Sequence, residues 1–286
     1  MSTLRRGLKS SRADPTFNNE DFFLWILLGA IQGFTEWLPV SSKTQVMLFG
    51  MAVLGMSPAE AFSAGLALQG GTALAAICSF RHDVINLARA LPRLFSKDSD
   101  QWVELLRVLI VMTVITGIAG LPLLLIMKGL LAYWSAKTAN ILLGLALVLT
   151  SIVLRLRGVG CRKRQPSMKE GILGGLAQSL SVVPGISRSG ITLATFGLCG
   201  LGSEESLKLS FLASIPATIG SSFIELLLDK ELLRFSSSNL IISAISSLAV
   251  GLFAIRILLR ASSRASMALL SAFFGALALS WALLLP

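Results

Sequence analysis

The sequence predicts an all-α integral membrane protein, with six full transmembrane helices and two re-entrant helical hairpins arranged as an inverted-topology repeat. Three observations lead there. Of 286 residues, 54% are hydrophobic and 14% charged, with a mean hydropathy of +0.77, well outside the range of soluble globular chains. Apolar runs of about 18 residues or more, long enough for a hydrocarbon core of about 30 Å, lie near 61–80, 102–127, 138–155, 205–228, 239–259 and 266–286. Two polar sequences interrupt otherwise apolar segments: Gln32-Gly33-Phe34-Thr35-Glu36-Trp37-Leu38-Pro39-Val40-Ser41-Ser42-Lys43, and Gln178-Ser179-Leu180-Ser181-Val182-Val183-Pro184-Gly185-Ile186-Ser187-Arg188-Ser189-Gly190-Ile191-Thr192.

From the N-terminus, residues 1–21 are polar and read as a short extramembrane tail without a cleavable signal peptide. The first hairpin runs from about 22 to 56 and turns at Leu38–Lys43, and the second runs from about 169 to 201 and turns at Pro184–Arg188. Their arms, roughly 13 to 17 residues each, are short for a span and suit a segment that enters and leaves on one side. Three full spans follow each hairpin. An offset of 146 residues places Gln32 on Gln178 and Ser57 on Ser203, and one of 145 places Pro39 on Pro184. A single membrane domain, 22–286, thus divides into repeats of about 22–155 and 168–286. Because three is odd, the second repeat starts on the opposite side, so the hairpins enter from opposite faces and their tips meet near the midplane.

Lysine and arginine set the orientation. One set of loops carries Arg81, Arg89, Arg93, Lys97, Arg155, Arg157, Arg162, Lys163, Arg164, Lys169, Arg256, Arg260 and Arg264. The other carries Arg5, Arg6, Lys9, Arg12, Lys128, Lys137, Lys230 and Arg234. The larger set belongs in the cytoplasm by the positive-inside rule, which puts both termini outside. The net charge of +10 is spread over these short loops, so it reads as topology signal and anionic-lipid contact, with no nucleic-acid partner. Cys78, Cys161 and Cys199 lack metal spacing and, being odd in number, give no disulfide framework. Cys78 and Cys199 read as small helix-packing residues.

The chemistry concentrates at the two breaks, because ionised groups at membrane depth are costly and persist mainly where they line a protein-enclosed cavity. Gln32 and Glu36 lie one helical turn apart on one face. Pro39 removes a donor and disfavours helix at Leu38, so the helix should end there, with Ser41 as N-cap of the outgoing arm. In the second break Pro184-Gly185 permits a tight turn, and Ser187-Arg188-Ser189-Gly190 opens a helix whose N-H groups, hydroxyls and guanidinium form a phosphate cradle. Thr192 lies one turn beyond Arg188. A cation cradle facing a carboxylate suggests reaction at phosphorus. Glu36 fits a general base or a divalent-cation ligand, and Ser42 a nucleophile, although helix capping or substrate hydrogen bonding would select the same serine. Lys43 suits phosphate contact or snorkelling, and Gln32 and Gln178 suit ligand contact or helix bridging. His82, the only histidine, falls at the cytoplasmic end of the first full span and outside the site.

These residues resemble the undecaprenyl-diphosphate phosphatases of the bacitracin-resistance type. The family is marked by (Glu/Gln)-x-x-x-Glu followed by Leu-Pro-Val-Ser-Ser, here Gln32–Glu36 and Leu38–Ser42, and by Pro-Gly-x-Ser-Arg-Ser-x-x-Thr, here Pro184–Thr192. The resemblance spans the whole chain. It implies hydrolysis of a C55-type prenyl diphosphate to the monophosphate, assisted by Mg²⁺ or Ca²⁺, in the plasma membrane at a site open to the outer face. Its implied partners are that lipid and the surrounding membrane lipids, with a homodimer left open. On carry-over, Glu36, Ser42 and Arg188 match catalytic or phosphate-binding positions, Glu36 also being the metal position. Ser187, Ser189 and Thr192 match the second motif. Gln32, Ser41, Lys43, Gln178 and Gly185 complete the expected substrate-binding set. The chain departs from the family where Lys43-Thr44-Gln45 replaces the usual Thr-Gly-His, which removes a histidine, and where Gln32 replaces a glutamate. Inverted repeats with broken helices also build transporters, so prenyl-phosphate translocation without hydrolysis is the competing expectation.

Overall fold

The computed structural model describes residues 19–96, 100–156, 165–228, 235–260 and 264–284. Most of the expected tail, Lys97, Arg157, Cys161, Arg162, Lys163, Arg164, Lys230 and Arg234 lie outside the described residues, as do the side chains of Arg260 and Arg264. Eleven α-helices and no strand occur among the described residues. They are α1 (Asn19–Thr35), α2 (Ser42–Val53), α3 (Pro58–Ser79), α4 (Arg81–Ala90), α5 (Gln101–Leu131), α6 (Ala136–Leu156), α7 (Met168–Leu180), α8 (Arg188–Leu198), α9 (Ser203–Leu228), α10 (Ser237–Arg260) and α11 (Arg264–Leu284). Five of these, α3, α5, α6, α9 and α10, are long and apolar enough to cross a membrane. The sixth expected span coincides with α11. The chain is therefore a multi-pass membrane protein, and apolar side chains such as Ile118, Leu125, Leu145, Phe223 and Phe253 stand exposed on its outside, where lipid replaces water.

Local sequence explains the helix ends. Ser57 and Glu60 close a capping box around Pro58 at the start of α3, which satisfies N-H groups that have no intrahelical partner. Asp100 caps α5, its carboxylate accepting from Trp102 N at 3.0 Å. The Trp102 N-H, followed by the Arg93 guanidinium 2.8 Å away, holds the Asp100 carboxyl below the usual carboxylate range. Helix α4, with Arg81, Asp83 and Arg89 beside Val84 and Leu87, was not anticipated from the hydropathy runs. Its alternation of charge and apolar residues is the signal that marks it.

Contacts between helices fix their directions. Ser243 Oγ donates to Trp25 O at 2.7 Å and Ser246 Oγ to Ile26 O at 2.8 Å, while Gly33 faces Ser247 and Gly251; α1 and α10 therefore run parallel. Gly71 against Ala244 and Gly251 against Ala75 align α3 with both. On the other side Gly171 faces Val108, Gly175 faces Met112, and Gln178 Nε2 donates to Thr116 Oγ1 at 3.2 Å, so α7 runs parallel to α5. Lys208 over Trp102 at 5.4 Å and Lys128 bonded to Glu225 at 2.8 Å make α9 parallel to α5. Helices α3 and α9 run antiparallel: Ser222 Oγ reaches Leu66 O at 2.8 Å near one end, and Phe80 packs on Phe211 with ring centroids 5.9 Å apart near the other. It follows that α1 and α7 point in opposite directions, each returning through α2 and α8.

Close helix approach rests on small residues, as membrane packing demands. A Cβ on Gly29 would sit 2.1 Å from Ser243 O, so only glycine lets α1 lie against α10. Cys78, expected as a packing residue, is instead exposed on α3, and Cys199 is half-buried. Glycine and alanine make the α3 contacts instead, because a smaller side chain allows closer backbones.

Candidate active site where the two helix breaks meet

The first break begins earlier than Pro39 suggests. Helix α1 ends at Thr35, and Glu36 N still donates to Gln32 O at 3.0 Å before turns carry the chain to Ser41. Gln32 and Glu36 remain one turn apart, and Gln32 Nε2 donates to Glu36 Oε2 at 2.7 Å. Ser41 occupies the expected N-cap position of α2 but makes no cap bond. Its φ of 55° makes it the one non-glycine in the left-handed region among the described residues, and its Oγ accepts from Thr44 Oγ1 at 3.0 Å. Such a backbone conformation costs of order 1–3 kcal/mol and persists where the surroundings over-determine it. Ser42 Oγ donates to Glu36 Oε2, the same oxygen that Gln32 holds.

The second break turns through Ser181–Ser187, and Ser187 caps α8 by accepting from Gly190 N at 3.3 Å. Gly185 has φ 97°, and a Cβ there would sit 2.3 Å from Ala146 Cβ. The two tips interlock. Ser189 Oγ donates to Leu38 O at 3.1 Å, and Lys43 Nζ donates to Ser181 O across 138 residues of sequence. An Arg188 Nη nitrogen lies 3.1 Å from Glu36 Oε1, with side-chain exposures of 11% and 3%. That contact is electrostatic and poorly directed: no guanidinium nitrogen of Arg188 has a hydrogen-bond partner. The guanidinium also stands 5.8 Å from the Trp37 ring, which packs edge-on against Phe211.

A cavity of about 220 Å³ joins these groups. Glu36, Ser41, Ser42 and Lys43 line it from the first tip, and Gln178, Ser181, Ser187 and Arg188 from the second. The remaining wall comes from Gln69 of α3, the Thr113–Leu124 stretch of α5 and the Pro216–Ile224 stretch of α9. Four expected substrate-binding residues do not line it. Gln32 sits behind Glu36, Gly185 packs on α6, Ser189 ties the tips together, and Thr192 Oγ1 bonds Ser210 Oγ at 2.7 Å. Their short or backward-pointing side chains support the tips from behind. Gln69 and Thr116 were not anticipated as site residues, although a lone polar group in an apolar helix was the available signal; Ser181 stood inside the second polar sequence with no role assigned to it. His82 lies in α4 beside Arg81, away from the cavity.

The donor set does not suit a resident divalent cation. Glu36 is the only carboxylate among the lining residues, and both its oxygens are engaged, by Arg188 on one side and by Gln32 and Ser42 on the other. No group of three His, Cys, Asp or Glu residues gathers among the described residues, and even a cation held by waters, substrate phosphates and one carboxylate would have to take Glu36 from its three present partners.

The family described as Bacitracin resistance protein BacA matches residues 25–280. The chain belongs to this family. Among curated BacA-like relatives, an undecaprenyl-diphosphatase of Saccharolobus islandicus (strain M.16.4 / Kamchatka #3) is 37% identical over 244 residues, covering 82% of this chain and 86% of that protein. The undecaprenyl-diphosphatase of Saccharolobus solfataricus is 36% identical over 263 residues, covering 89% and 93%. That of Methanothrix thermoacetophila is 35% identical over 242 residues, covering 84% and 89%. The matched BacA region contains both breaks and every residue lining the cavity.

Proposed function

We propose that this chain hydrolyses undecaprenyl diphosphate, or a close polyprenyl diphosphate, to the monophosphate and inorganic phosphate. The observation that carries the reading is Arg188: a buried guanidinium with unpartnered N-H groups, facing a cavity in which Ser42 is hydrogen-bonded to a carboxylate. A guanidinium paired with Glu36 only by charge keeps its N-H donors open for phosphate oxygens, and a hydroxyl donating to a carboxylate is an activated nucleophile. The relatives named undecaprenyl-diphosphatase support the same substrate. Translocation alone leaves the Ser42–Glu36 pair without a task.

In the first step Glu36 takes the Ser42 proton, Ser42 Oγ bonds to the terminal phosphorus, and the bridging P–O bond breaks. Polyprenyl monophosphate departs with the proton. In the second, Glu36 accepts a proton from water as water oxygen attacks the phosphoserine; the Ser42–phosphorus bond breaks, the proton passes to Ser42 Oγ and inorganic phosphate leaves. Arg188, Lys43 and the N-H groups at the start of α8 neutralise charge on the equatorial oxygens. The prenyl chain lies along the apolar wall between α5 and α9, made by Gly117, Gly120, Leu121, Leu124 and Ile224.

The same reading takes α11 as a sixth span, residues 1–21 as an extramembrane tail, and the α1–α2 and α7–α8 pairs as re-entrant hairpins of two inverted repeats in the plasma membrane. Its support is the pairing pattern: α1 lies on α10 as α7 lies on α5, while α3 with α9 and α6 with α11 pair across the pseudo-two-fold. The cavity's α5 and α9 walls run toward the ends of those helices, the side assigned to the exterior by the lysine and arginine distribution. The test is phosphate release from undecaprenyl diphosphate by the purified chain. Ser42→Ala should lower the rate by roughly 10²–10⁴-fold, as expected for loss of the nucleophile and its base partnership. A Ser42→Ala rate equal to wild type refutes the covalent route.

A further inference from the structure

Building on the phosphatase reading, we infer that this chain does not use a bound divalent cation, because the Lys43 ammonium supplies the positive charge that such an ion would bring to the diphosphate. Lys43 is buried, lines the cavity, and is held from the opposite tip by the Ser181 carbonyl. Only one of its three N-H bonds is needed for that tether, which leaves two for phosphate oxygens. Arg188 stands on the other side of Glu36 with its N-H groups unpartnered. The cavity lining thus holds two cations and one carboxylate, a net charge near +1 that attracts a diphosphate and repels Mg²⁺ or Ca²⁺.

The carboxylate gives a metal no foothold. Freeing Glu36 Oε1 means displacing Arg188, and freeing Oε2 means breaking the Gln32 and Ser42 bonds that orient the nucleophile. The tether also explains why the ammonium does not snorkel: Lys43 starts beside Gly65, within α3, and its Nζ crosses to the second tip rather than rising to an interface. An ammonium fixed between two backbone breaks is preorganised charge, which needs no reorganisation as the phosphoryl group transfers.

The experiment uses the full chain in nanodiscs with undecaprenyl diphosphate, and with methylene diphosphonate as a non-hydrolysable probe. With all divalent ions chelated, wild type should release phosphate within about twofold of its rate in Mg²⁺ and should bind the diphosphonate equally well. Lys43→Met should lose roughly 10- to 100-fold in diphosphonate affinity, the equivalent of one charge-assisted contact, while Lys43→Arg keeps most of it. Size-exclusion behaviour and thermal unfolding confirm that the variants are folded. Release and binding that collapse on chelation and return with Mg²⁺ overturn the inference and leave the phosphatase reading standing. Absence of release with and without Mg²⁺ overturns the phosphatase reading and, with it, this inference.

Discussion

The Glu36–Arg188 pair links the two halves of the chain, and a double-mutant cycle measures that link. At 3.1 Å, two unit charges attract by about 5 kcal/mol at an effective dielectric near 20, less the desolvation of both groups. Removing one partner of a buried pair costs about 3–5 kcal/mol, because the other is left uncompensated. The two single variants should differ. Glu36→Gln removes the one carboxylate facing Arg188 and leaves it with Lys43 in the same wall, so about 4 kcal/mol is expected. Arg188→Met leaves Glu36 with two donors, Gln32 and Ser42, so about 2–3 kcal/mol is expected. The double variant removes both charges and should lose only about 3 kcal/mol, well short of the additive sum. For a chain of this size the single losses lower the melting temperature by roughly 10 °C. The assay is thermal unfolding of all four proteins in one detergent. A double variant at the additive value refutes the reasoning, since charges that do not couple are not paired.

Glycine substitutions separate necessary from incidental flexibility. Gly185→Ala, with φ 97° and a neighbouring Cβ at 2.3 Å, should destabilise by at least about 2 kcal/mol. Gly129→Ala, with open space around its Cα, should be neutral or stabilise α5 by up to about 1 kcal/mol; thermal unfolding in parallel decides both. Asp100→Asn keeps the cap of α5 but removes a carboxyl held below its usual range, first by the Trp102 N-H and then by Arg93. The stability that this carboxylate contributes is present above its unfolded value of about 3.9 and fades as pH falls through its lower folded value. The variant should therefore be less stable than wild type at neutral pH and match it in acid, and unfolding curves across that range provide the measurement.

The helices were legible because apolar run length is a one-dimensional property: α3, α5, α6, α9 and α10 coincide with expected spans to within a few residues. The pairing of Gln32 with Glu36 was legible for the same reason, since helical periodicity alone brings them together. The end of α1 was not, because Pro39 limits a helix to Leu38 at the latest and the chain leaves it at Thr35, three residues sooner. Ser41 was placed correctly as the residue before α2, yet its positive φ turns the hydroxyl toward Thr44 rather than the helix N-H groups. Backbone handedness of that kind has no signature in a serine. The roles of Ser189 and Thr192 were also hidden: both belong to a phosphate-like motif, and only the fold turns their hydroxyls toward Leu38 and Ser210.

On the proposed inverted-repeat reading, the cavity lies where the two halves pack differently. Interchanging the repeats maps α10 onto α5 and α3 onto α9, so the α3–α10 contact should recur between α9 and α5. The first contact is tight: Cβ atoms on Gly71 and Gly251 would lie 2.4 Å from Ala244 O and 3.1 Å from Ala75 Cβ. The second is opened by residues that cannot close it. Pro122 and Pro216 each interrupt the helical ladder of α5 and α9, which bends or loosens the helix, and Pro216 itself stands in the cavity wall. Gly117 has open space where a Cβ would stand, and a Cβ on Gly120 would meet Val182 and Ser179 of the second break at 3.6–3.8 Å, with no α9 atom among those contacts. Were the α5–α9 seam sealed like the α3–α10 one, the charged tips would lie in a dry core where no phosphate could join Glu36 beside Arg188. On the same proposed reading, the open α5–α9 seam is the lateral way by which a lipid with a charged head would reach those tips.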